Sequence, residues 1–416
     1  MNARQSAVCL LVLTSLGLMQ CSAPQVTKTL TPMEHALQLR DDGRLAEAEQ
    51  EFKTLADRGE PRATLELAET QILRGHHADA LALLKPRATA DVNDAEAVGL
   101  LARALDGLGR IDESIAMFAR RLTLKPDDVA AAVRMAELLL ARGDPDHASR
   151  VAYAGLKLHA DEPRLLVVAA RTMLARGRLP TALELAKQVT ELAPRNADAW
   201  LVRGQVHAMA GDLADAEAAL RTALQIAPDG RDAQSELASV WLEQGATDKA
   251  VAILQKLVGA LPTDASLWNQ LAAAKHKAGN SDGAIAALDT AISLQPRRPV
   301  LYRNLAEVAL DAGWPDRAVQ AAAQARTLVQ ARVQDVVAMP ELDRLHLRAI
   351  VAQVMTQRVC KHDRNAAGLE AELLTAAQKS AIKTTSAELT AAANTVEDAV
   401  RAAVARCRVA PTPGKP

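Results

Sequence analysis

Glycine recurs along this chain with a fixed period of 34 residues and no insertion. The eight glycines of the series are Gly75, Gly109, Gly143, Gly177, Gly211, Gly245, Gly279 and Gly313. A period kept over this many copies indicates an array of structural repeats, because separate globular domains do not keep residues in phase. Glycine tolerates the left-handed conformation that often ends a helix, so each glycine predicts a sharp turn between two helices.

Small residues keep the same period on both sides of each glycine. Five residues after it lie Ala80, Ser114, Ala148, Ala182, Ala216, Ala250, Ala284 and Ala318. Seven residues before it lie Ala68, Ala102, Ala136, Ala170, Gly204, Ala238, Ala272 and Ala306. Larger side chains would push crossing helices apart, so these positions predict where the two helices of each repeat pack together.

The composition favours an all-α chain. Hydrophobic residues make up 49% of the sequence and aromatic residues only 2%, and the excess is alanine and leucine, which are strong helix formers. Basic and acidic residues are balanced at 49 and 50. Because the chain has neither a basic excess nor many aromatic residues for stacking on bases, nucleic acid is not an expected partner.

The pattern resembles the tetratricopeptide repeat, which has a tryptophan, small residues and a closing proline at fixed positions. The best copy contains Trp200, Gly204, Ala216, Leu220, Ala223 and Pro228, and a second contains Trp268, Leu271, Ala272, Ala284, Leu288, Ala291 and Pro296. Residues 61–332 divide into eight units without gaps, and residues 29–60 hold an earlier unit shortened by two residues. The resemblance implies a right-handed α-solenoid of about nine helix pairs over residues 29–332.

Two units depart from this pattern. Pro86 falls inside a second helix, where its missing N–H group is expected to kink or shorten that helix. Ala160 stands in place of the closing proline in the unit that begins at Val129. We expect local irregularity at both places and retention of the repeat.

Residues 1–23 have the organisation of an export signal. Arg4 is followed by an apolar run from Ala7 to Met19 and then by small residues. The run is shorter than the about 20 apolar residues that a membrane-spanning helix needs. The segment therefore predicts export rather than a membrane span.

The segment Leu18-Met19-Gln20-Cys21 resembles the lipobox of bacterial lipoproteins, although Gln20 stands where that motif has Gly, Ala or Ser. The resemblance implies acylation of Cys21 and, because Ser22 follows, sorting to the outer membrane. One alternative is cleavage after Ala23, which would give a soluble periplasmic protein. The other alternative is an unprocessed cytoplasmic N-terminus.

The 34-residue period ends near residue 333. Met339-Pro340 marks a boundary, since proline suits the first turn of a helix. An apolar stripe follows at Leu342, Leu345, Ile350, Val354 and Met355, and the segments 366–382 and 386–407 predict an alanine-rich helical hairpin. Because a solenoid must cover the apolar face of its last unit, residues 333–409 are predicted to form a helical cap, and residues 410–416 a disordered tail.

Cys360 and Cys407 are the two cysteines outside the N-terminal segment. In an oxidising compartment such a pair usually forms a disulfide, which would close a loop of about 47 residues and stabilise the cap by about 3–4 kcal/mol. Two free thiols are one alternative. A metal site with His346 and His362 is another, although Cys-x-His lacks the paired-cysteine spacing of structural zinc sites.

Catalytic motifs do not stand out in the sequence. A glycine-rich phosphate loop and a His-Glu-x-x-His helix are both missing from it. The periodic glycines occur singly at turns, so none is expected to hold a phosphate. We therefore expect no enzymatic activity, no cofactor and no metal.

In proteins with tetratricopeptide repeats, which this sequence resembles, the first helix of each repeat lines the binding groove. Helical geometry places positions 2, 5, 9 and 12 of each unit on one face. Polar residues at or beside these positions are the candidate groove residues: Arg103, Arg134, Arg164, Arg171, Gln205, Asn269, Gln270, Arg303 and Asn304. The four residues from Arg103 to Arg171 are expected to attract anions, and the later amides suit a peptide backbone.

Position 9 alternates in charge over the first four units, as Glu69, Arg103, Glu137 and Arg171. Packed helices lie about 8–10 Å apart, so these side chains can form an ion-pair ladder that either holds repeats together or contacts a partner. Exposed pairs contribute about 0–1 kcal/mol each. The Lys and Asn set of the chaperone-tail carboxylate clamp is missing from every unit, so that role is not expected.

Together these patterns predict a non-catalytic scaffold or adaptor of the bacterial cell envelope, carried as a lipoprotein that supports assembly or secretion machinery. The alternative is a soluble periplasmic accessory subunit of a polysaccharide- or polymer-handling enzyme complex. The expected partner is a protein or peptide in the groove, and the expected membrane contact is the N-terminal lipid alone.

Overall fold

Helices are the only regular secondary structure in the described part of the chain. The computed structural model describes residues 30–331, 339–360, 369–380, 382 and 384–409, without the side chains of 358–360, 369–371, 386 and 406–409. These residues form twenty-two α-helices and no strand. The predicted all-α class is thereby confirmed.

The first eighteen described helices follow one another as nine pairs. They are α1 (Pro32–Asp41) with α2 (Leu45–Asp57), α3 (Pro61–Leu73) with α4 (His77–Ala90), α5 (Ala95–Gly107) with α6 (Ile111–Leu124), α7 (Val129–Ala141) with α8 (Pro145–Leu158), α9 (Pro163–Ala175) with α10 (Leu179–Leu192), α11 (Ala197–Ala210) with α12 (Leu213–Ile226), α13 (Arg231–Glu243) with α14 (Thr247–Ala260), α15 (Ala265–Lys277) with α16 (Ser281–Leu294), and α17 (Pro299–Asp311) with α18 (Pro315–Gln330). The chain divides into two compact units between Ala131 and Ala132, inside α7.

The periodic glycines end the first helix of each pair as predicted. All eight have positive φ angles, between 68° and 85°. Gly211, for example, is the left-handed C-cap of α11. Because side chains disfavour this conformation, glycine keeps the period without exception.

The small residues lie where the two helices of a pair cross. All eight residues that follow the glycines are fully buried, and Ala102 is fully buried as well. In the first unit the Ser114 hydroxyl donates a hydrogen bond to the Ala102 carbonyl oxygen at 2.9 Å. The two series therefore meet across the helix pair, as the sequence predicts.

The closing prolines take part in a hydrogen bond that the sequence does not reveal. Side chains at position 4 donate to their carbonyl oxygens: Trp200 to Pro194 (2.9 Å), Gln234 to Pro228 (2.7 Å), Trp268 to Pro262 (2.9 Å) and Tyr302 to Pro296 (3.0 Å). In the unit that follows Ala160, position 4 is the buried, apolar Leu166. In these four repeats the donor at position 4 and the preceding proline are thus two parts of one contact, whereas Pro126 is followed at position 4 by the apolar Ala132.

Pro86 lies inside α4 without shortening it. The helix runs from His77 to Ala90 and has fourteen residues, like α6 of the next pair. The Thr89 hydroxyl donates to the carbonyl oxygens of Lys85 and Pro86, both at 2.8 Å. Of the two effects predicted for Pro86, a kink or a shorter helix, shortening does not occur.

The region predicted to cover the end of the solenoid, which we call the cap, has four described helices: α19 (Met339–Cys360), α20 (Leu369–Lys379), α21 (Ser386–Thr395) and α22 (Glu397–Val409). Helix α19 packs against α17 and α18 and also against α20, α21 and α22. Leu347, Val351 and Ala352 are therefore buried in addition to four residues of the predicted stripe, whose fifth member, Met355, is partly buried. The segment 386–407 is helical as predicted, but it is not one continuous helix: it breaks at the buried Val396, just before the acidic first turn of α22.

Candidate partner-binding surface

The first helices of the second unit form a continuous row. Helices α9, α11, α13 and α15 contact one another in order, and α17 is joined to α15 by a hydrogen bond. Their polar side chains lie on a surface that we call the first-helix face, made of Arg164, Arg171, Asp198, Gln205, Ser235, Glu236, Asn269, Gln270, Arg303 and Asn304.

Hydrogen bonds connect neighbouring helices along the first-helix face. They run from Gln205 Nε2 to Glu236 Oε1 (3.0 Å), from Ser235 Oγ to Gln270 Oε1 (2.7 Å) and from Asn304 Nδ2 to Asn269 Oδ1 (2.8 Å). The last two of these hydrogen bonds link position 5 of one repeat with position 6 of the next repeat. The predicted amide residues therefore hold successive repeats in register.

These amides keep hydrogen-bonding groups that the bonds between neighbouring helices do not use. Gln270 accepts through its carbonyl oxygen, so its two N–H groups remain, and Asn304 donates, so its carbonyl oxygen remains. Both side chains are half-buried rather than enclosed. Within the described residues, the row thus presents unused donors and acceptors on adjacent helices, which is what an extended backbone requires.

The predicted arginines occupy different environments. Arg164 is exposed and forms no hydrogen bond or ion pair through its side chain with any described residue. Arg171 Nη2 lies 3.7 Å from Asp198 Oδ1, and Arg134 Nη1 lies 2.9 Å from Glu137 Oε2 on its own helix. Arg303 is half-buried, and its Nε atom has no acceptor among the described residues.

The charge ladder at position 9 is present in the first of the two compact units, which ends at Ala131. Arg103 Nη1 lies 2.9 Å from Glu69 Oε1, and Arg40 Nη1 lies 2.6 Å from Glu66 Oε2 and 3.2 Å from Glu69 Oε2. Arg40 lies in the shortened repeat at residues 29–60, so the 34-residue period did not predict its ion pairs with Glu66 and Glu69. This network leaves Arg103 paired rather than free for an anion.

The ladder does not continue between Glu137 and Arg171 in the second unit. Glu137 pairs with Arg134, and Arg171 faces Asp198. Position 9 alone therefore does not decide which side chains meet, because residues beside it compete for the same charges.

A buried polar cluster lies between α18 and the cap. His346 is 2% exposed, and its Nδ1 atom lies 3.2 Å from Arg326 Nη1, which also donates to the Ser380 carbonyl oxygen at 2.9 Å. Arg326 Nε lies 2.6 Å from Asp343 Oδ1. Burial, and then the Arg326 guanidinium, lower the pKa of His346 to about 4, although Asp343 acts in the opposite direction.

The cysteine predictions fall largely outside the described residues. The side chains of Cys360 and Cys407 are not among the described ones, and neither Cys21 nor His362 is described. The disulfide and the lipid site therefore stay predictions. In the part of the chain that the structure covers, no three His, Cys, Asp or Glu side chains gather as metal ligands would.

A helix that crosses a membrane must be both long and apolar. Over the described ranges, no helix combines the length and the apolar character that crossing a membrane demands.

The family model described as tetratricopeptide repeat matches residues 54–331 of the chain. The chain belongs to the tetratricopeptide-repeat (TPR) family. Proteins of this family and fold are generally non-catalytic scaffolds that bind protein or peptide partners. The resemblance seen in the 34-residue period is thereby confirmed, together with the α-solenoid class.

Solved structures with the same fold include a chain of the APC/C hetero-tetramer Cut9–Hcn1, at 16% identity and a TM-score of 0.50 over 72% of this chain. This chain covers 59% of the length of that one. A tetratricopeptide repeat protein from Parabacteroides merdae has 16% identity and a TM-score of 0.47, with 61% of this chain and 98% of that chain covered. A thermophilic TPR protein of Thermus thermophilus has 26% identity and a TM-score of 0.40, with 43% and 97% covered.

The likeness to the Cut9–Hcn1 chain shows the fold alone. No curated protein matches the chain.

Proposed function

We propose that this TPR protein is an exported adaptor that binds an extended segment of a protein partner on the first-helix face. One observation carries the proposal: the side chains that join successive first helices keep unused N–H and C=O groups, as at Gln270 and Asn304. Such groups can bond a peptide backbone without regard to its sequence. The exposed Arg164 adds a charged contact at one end of the row.

The spacing of the row fits an extended chain. Packed helices lie about 8–10 Å apart, and an extended backbone advances about 3.3 Å per residue. A bound segment would therefore meet a new helix about every three residues. The mixed charge of Arg164, Asp198 and Glu236 favours a partner of mixed charge over a polyanion.

Cross-linking in cells tests this placement. A photo-reactive residue at Gln270 should capture a defined partner, whereas one at Lys256, which is exposed on the second helix α14, should not. Equal capture of the same protein from both positions would contradict binding on the first-helix face.

The envelope role rests on the N-terminal sequence. Arg4, the apolar run and Cys21 favour export and acylation, and a bacterial lipoprotein carries more than one acyl chain, which gives firm anchoring. The tether would keep the first-helix face close to machinery in the membrane. An adaptor tethered in this way would serve assembly or secretion machinery.

Palmitate labelling tests the lipid anchor. Wild type should incorporate label and fractionate with the outer membrane, and Cys21→Ala should lose both properties. Label retained by Cys21→Ala would contradict acylation at that residue, and a cytoplasmic wild-type protein would contradict export altogether.

The second candidate function is that of a soluble periplasmic accessory subunit of a polymer-handling enzyme complex. Gln20 favours it, because this residue departs from the small side chain expected before an acylated cysteine. An unlabelled wild-type protein released with the periplasm and cleaved after Ala23 is the result that this alternative predicts.

A further inference from the structure

A pocket of about 510 Å³ lies in the cap between α19 and α21. The described residues that line it are Pro340, Asp343, Arg344, Leu347 and Arg348 on α19, Ile382 and Thr384 between α20 and α21, and Glu388, Ala391, Ala392 and Thr395 on α21. The spacing within each helical set places its members on one face, so two helix faces form opposite walls. The volume falls in the range of small-ligand sites.

The inner part of this pocket is apolar. Leu347 and Ile382 are each 6% exposed and belong to the same core cluster. Ala391 and Ala392 leave room on the opposite wall because their side chains are single methyl groups. The pocket can therefore accept a short apolar body.

Two guanidinium groups at the pocket form no ion pair within the described chain. Arg344 and Arg348 are one helical turn apart, and neither forms a hydrogen bond or an ion pair with any residue that the structure describes. The Nε atom of Arg348 is buried and has no acceptor there. A buried donor without a partner is rare and calls for an acceptor.

The two carboxylates of the pocket are already engaged. Asp343 Oδ1 lies 2.6 Å from Arg326 Nε. Glu388 Oε2 accepts from the backbone N–H of Thr385 at 2.9 Å and from the Thr385 hydroxyl at 3.2 Å. These bonds, the Thr384 hydroxyl and then the charge of Arg344 lower the pKa of Glu388.

We propose that this pocket binds an organic anion with a single carboxylate on a short apolar body. Guanidinium groups bind carboxylates through paired, charge-assisted hydrogen bonds, and the apolar walls would hold the body of the ligand. A polyanion does not fit, because Asp343 and Glu388 line the same pocket. This site is independent of export and of the first-helix face.

Calorimetric titration of the full chain tests the ligand chemistry. The probes are hexanoate, acetyl-Ala-Leu with a free carboxylate, and the same dipeptide as its C-terminal amide. At least one carboxylate should bind and the amide should not. Stronger binding of hexanoate identifies a small acid, and stronger binding of the dipeptide identifies a chain terminus.

Substitutions test the location. Arg344→Gln should weaken carboxylate binding about tenfold, since charge-assisted hydrogen bonds are lost, and exposed Arg344 can be changed without unfolding the cap. Arg348→Gln should act in the same way. Arg401→Gln is the matched control, because Arg401 is exposed on α22 and pairs with Glu397 at 2.7 Å outside the pocket.

Three results would overturn the proposal. The first is that the amide binds as tightly as the free carboxylate. The second is that both pocket variants keep the affinity of the wild type. The third is that neither carboxylate binds up to about 10 mM, a concentration at which even millimolar affinity is detected. Filling the pocket with Ala391→Phe should abolish binding while Arg344 and Arg348 remain.

Discussion

A Cβ atom added to Gly313 would lie 2.5 Å from the backbone nitrogen of Ala403. Helix α22 of the cap therefore rests directly on the turn between α17 and α18. The other seven periodic glycines have no atom within 4 Å of the same position. At Gly313 a residue required by turn geometry along the array also permits the close approach of the cap.

Gly313→Ala should destabilise the cap more than Gly245→Ala destabilises its own repeat. Both glycines have φ near 75–79°, so both substitutions cost about 1–2 kcal/mol in backbone strain. Only Gly313→Ala also displaces α22. Thermal unfolding and hydrogen exchange of α22 measure the difference, and equal effects of the two variants would contradict direct packing at Gly313.

Acid should weaken the cap through His346. Its pKa is about 4 in the folded state and about 6.5 when unfolded, so the unfolded chain binds more protons between these values. The contribution of neutral His346 is complete above pH about 6.5 and is lost as pH falls through about 4, up to about 3 kcal/mol. Acidification therefore lowers the stability of the cap.

Denaturant unfolding at a series of pH values checks this prediction, with His346→Asn as the reference. The asparagine amide can still accept from Arg326 but does not titrate. Carboxylates contribute equally in both proteins, so the wild type should lose more stability than the variant between pH about 6.5 and 4. Parallel curves would show that His346 does not titrate as described.

Gly204→Ala should destabilise the second unit although alanine is the better helix former. A Cβ atom there would lie 2.6 Å from Cγ of the fully buried Leu220, and such overpacking costs about 1–3 kcal/mol. Gly259→Ala is the matched control on α14, where nothing lies within 4 Å. That change should stabilise the protein by up to about 1 kcal/mol, and a stabilising Gly204→Ala would refute the close approach.

The Cys360–Cys407 disulfide stays a prediction with a direct readout. Peptide mass mapping of the exported protein should find one linked pair that separates on reduction. Reduction should then lower the stability of the cap by about 3–4 kcal/mol on the loop-entropy estimate. Both cysteines recovered as free thiols from the oxidising compartment would rule the bridge out.

Backbone geometry explains why the repeat period, the turns and the helix crossings could be predicted from the sequence. Gly211 must adopt a left-handed conformation, and Ala216 must fit between two crossing helices, so each position accepts few residue types. Such constraints repeat with every helix pair. The period, the turns and the helix crossings were therefore visible from the sequence.

Lateral contacts between repeats were less predictable. Gln205 meets Glu236 and Asn269 meets Asn304, pairs that are 31 and 35 residues apart rather than 34. These offsets depend on how far each first helix slides along its neighbour, which the period does not fix. The same holds for the break at Val396, where tertiary burial interrupts a segment of high helix propensity.

The central claim is tested most directly by the affinity of a partner segment for the first-helix face. A peptide that covers the segment cross-linked at Gln270 should bind the wild-type chain, and Arg164→Gln should weaken it several-fold without changing the melting temperature, because the Arg164 side chain bonds to no described residue. Lys256→Gln on α14 should leave affinity unchanged. Equal affinity in all three proteins would contradict binding on this face.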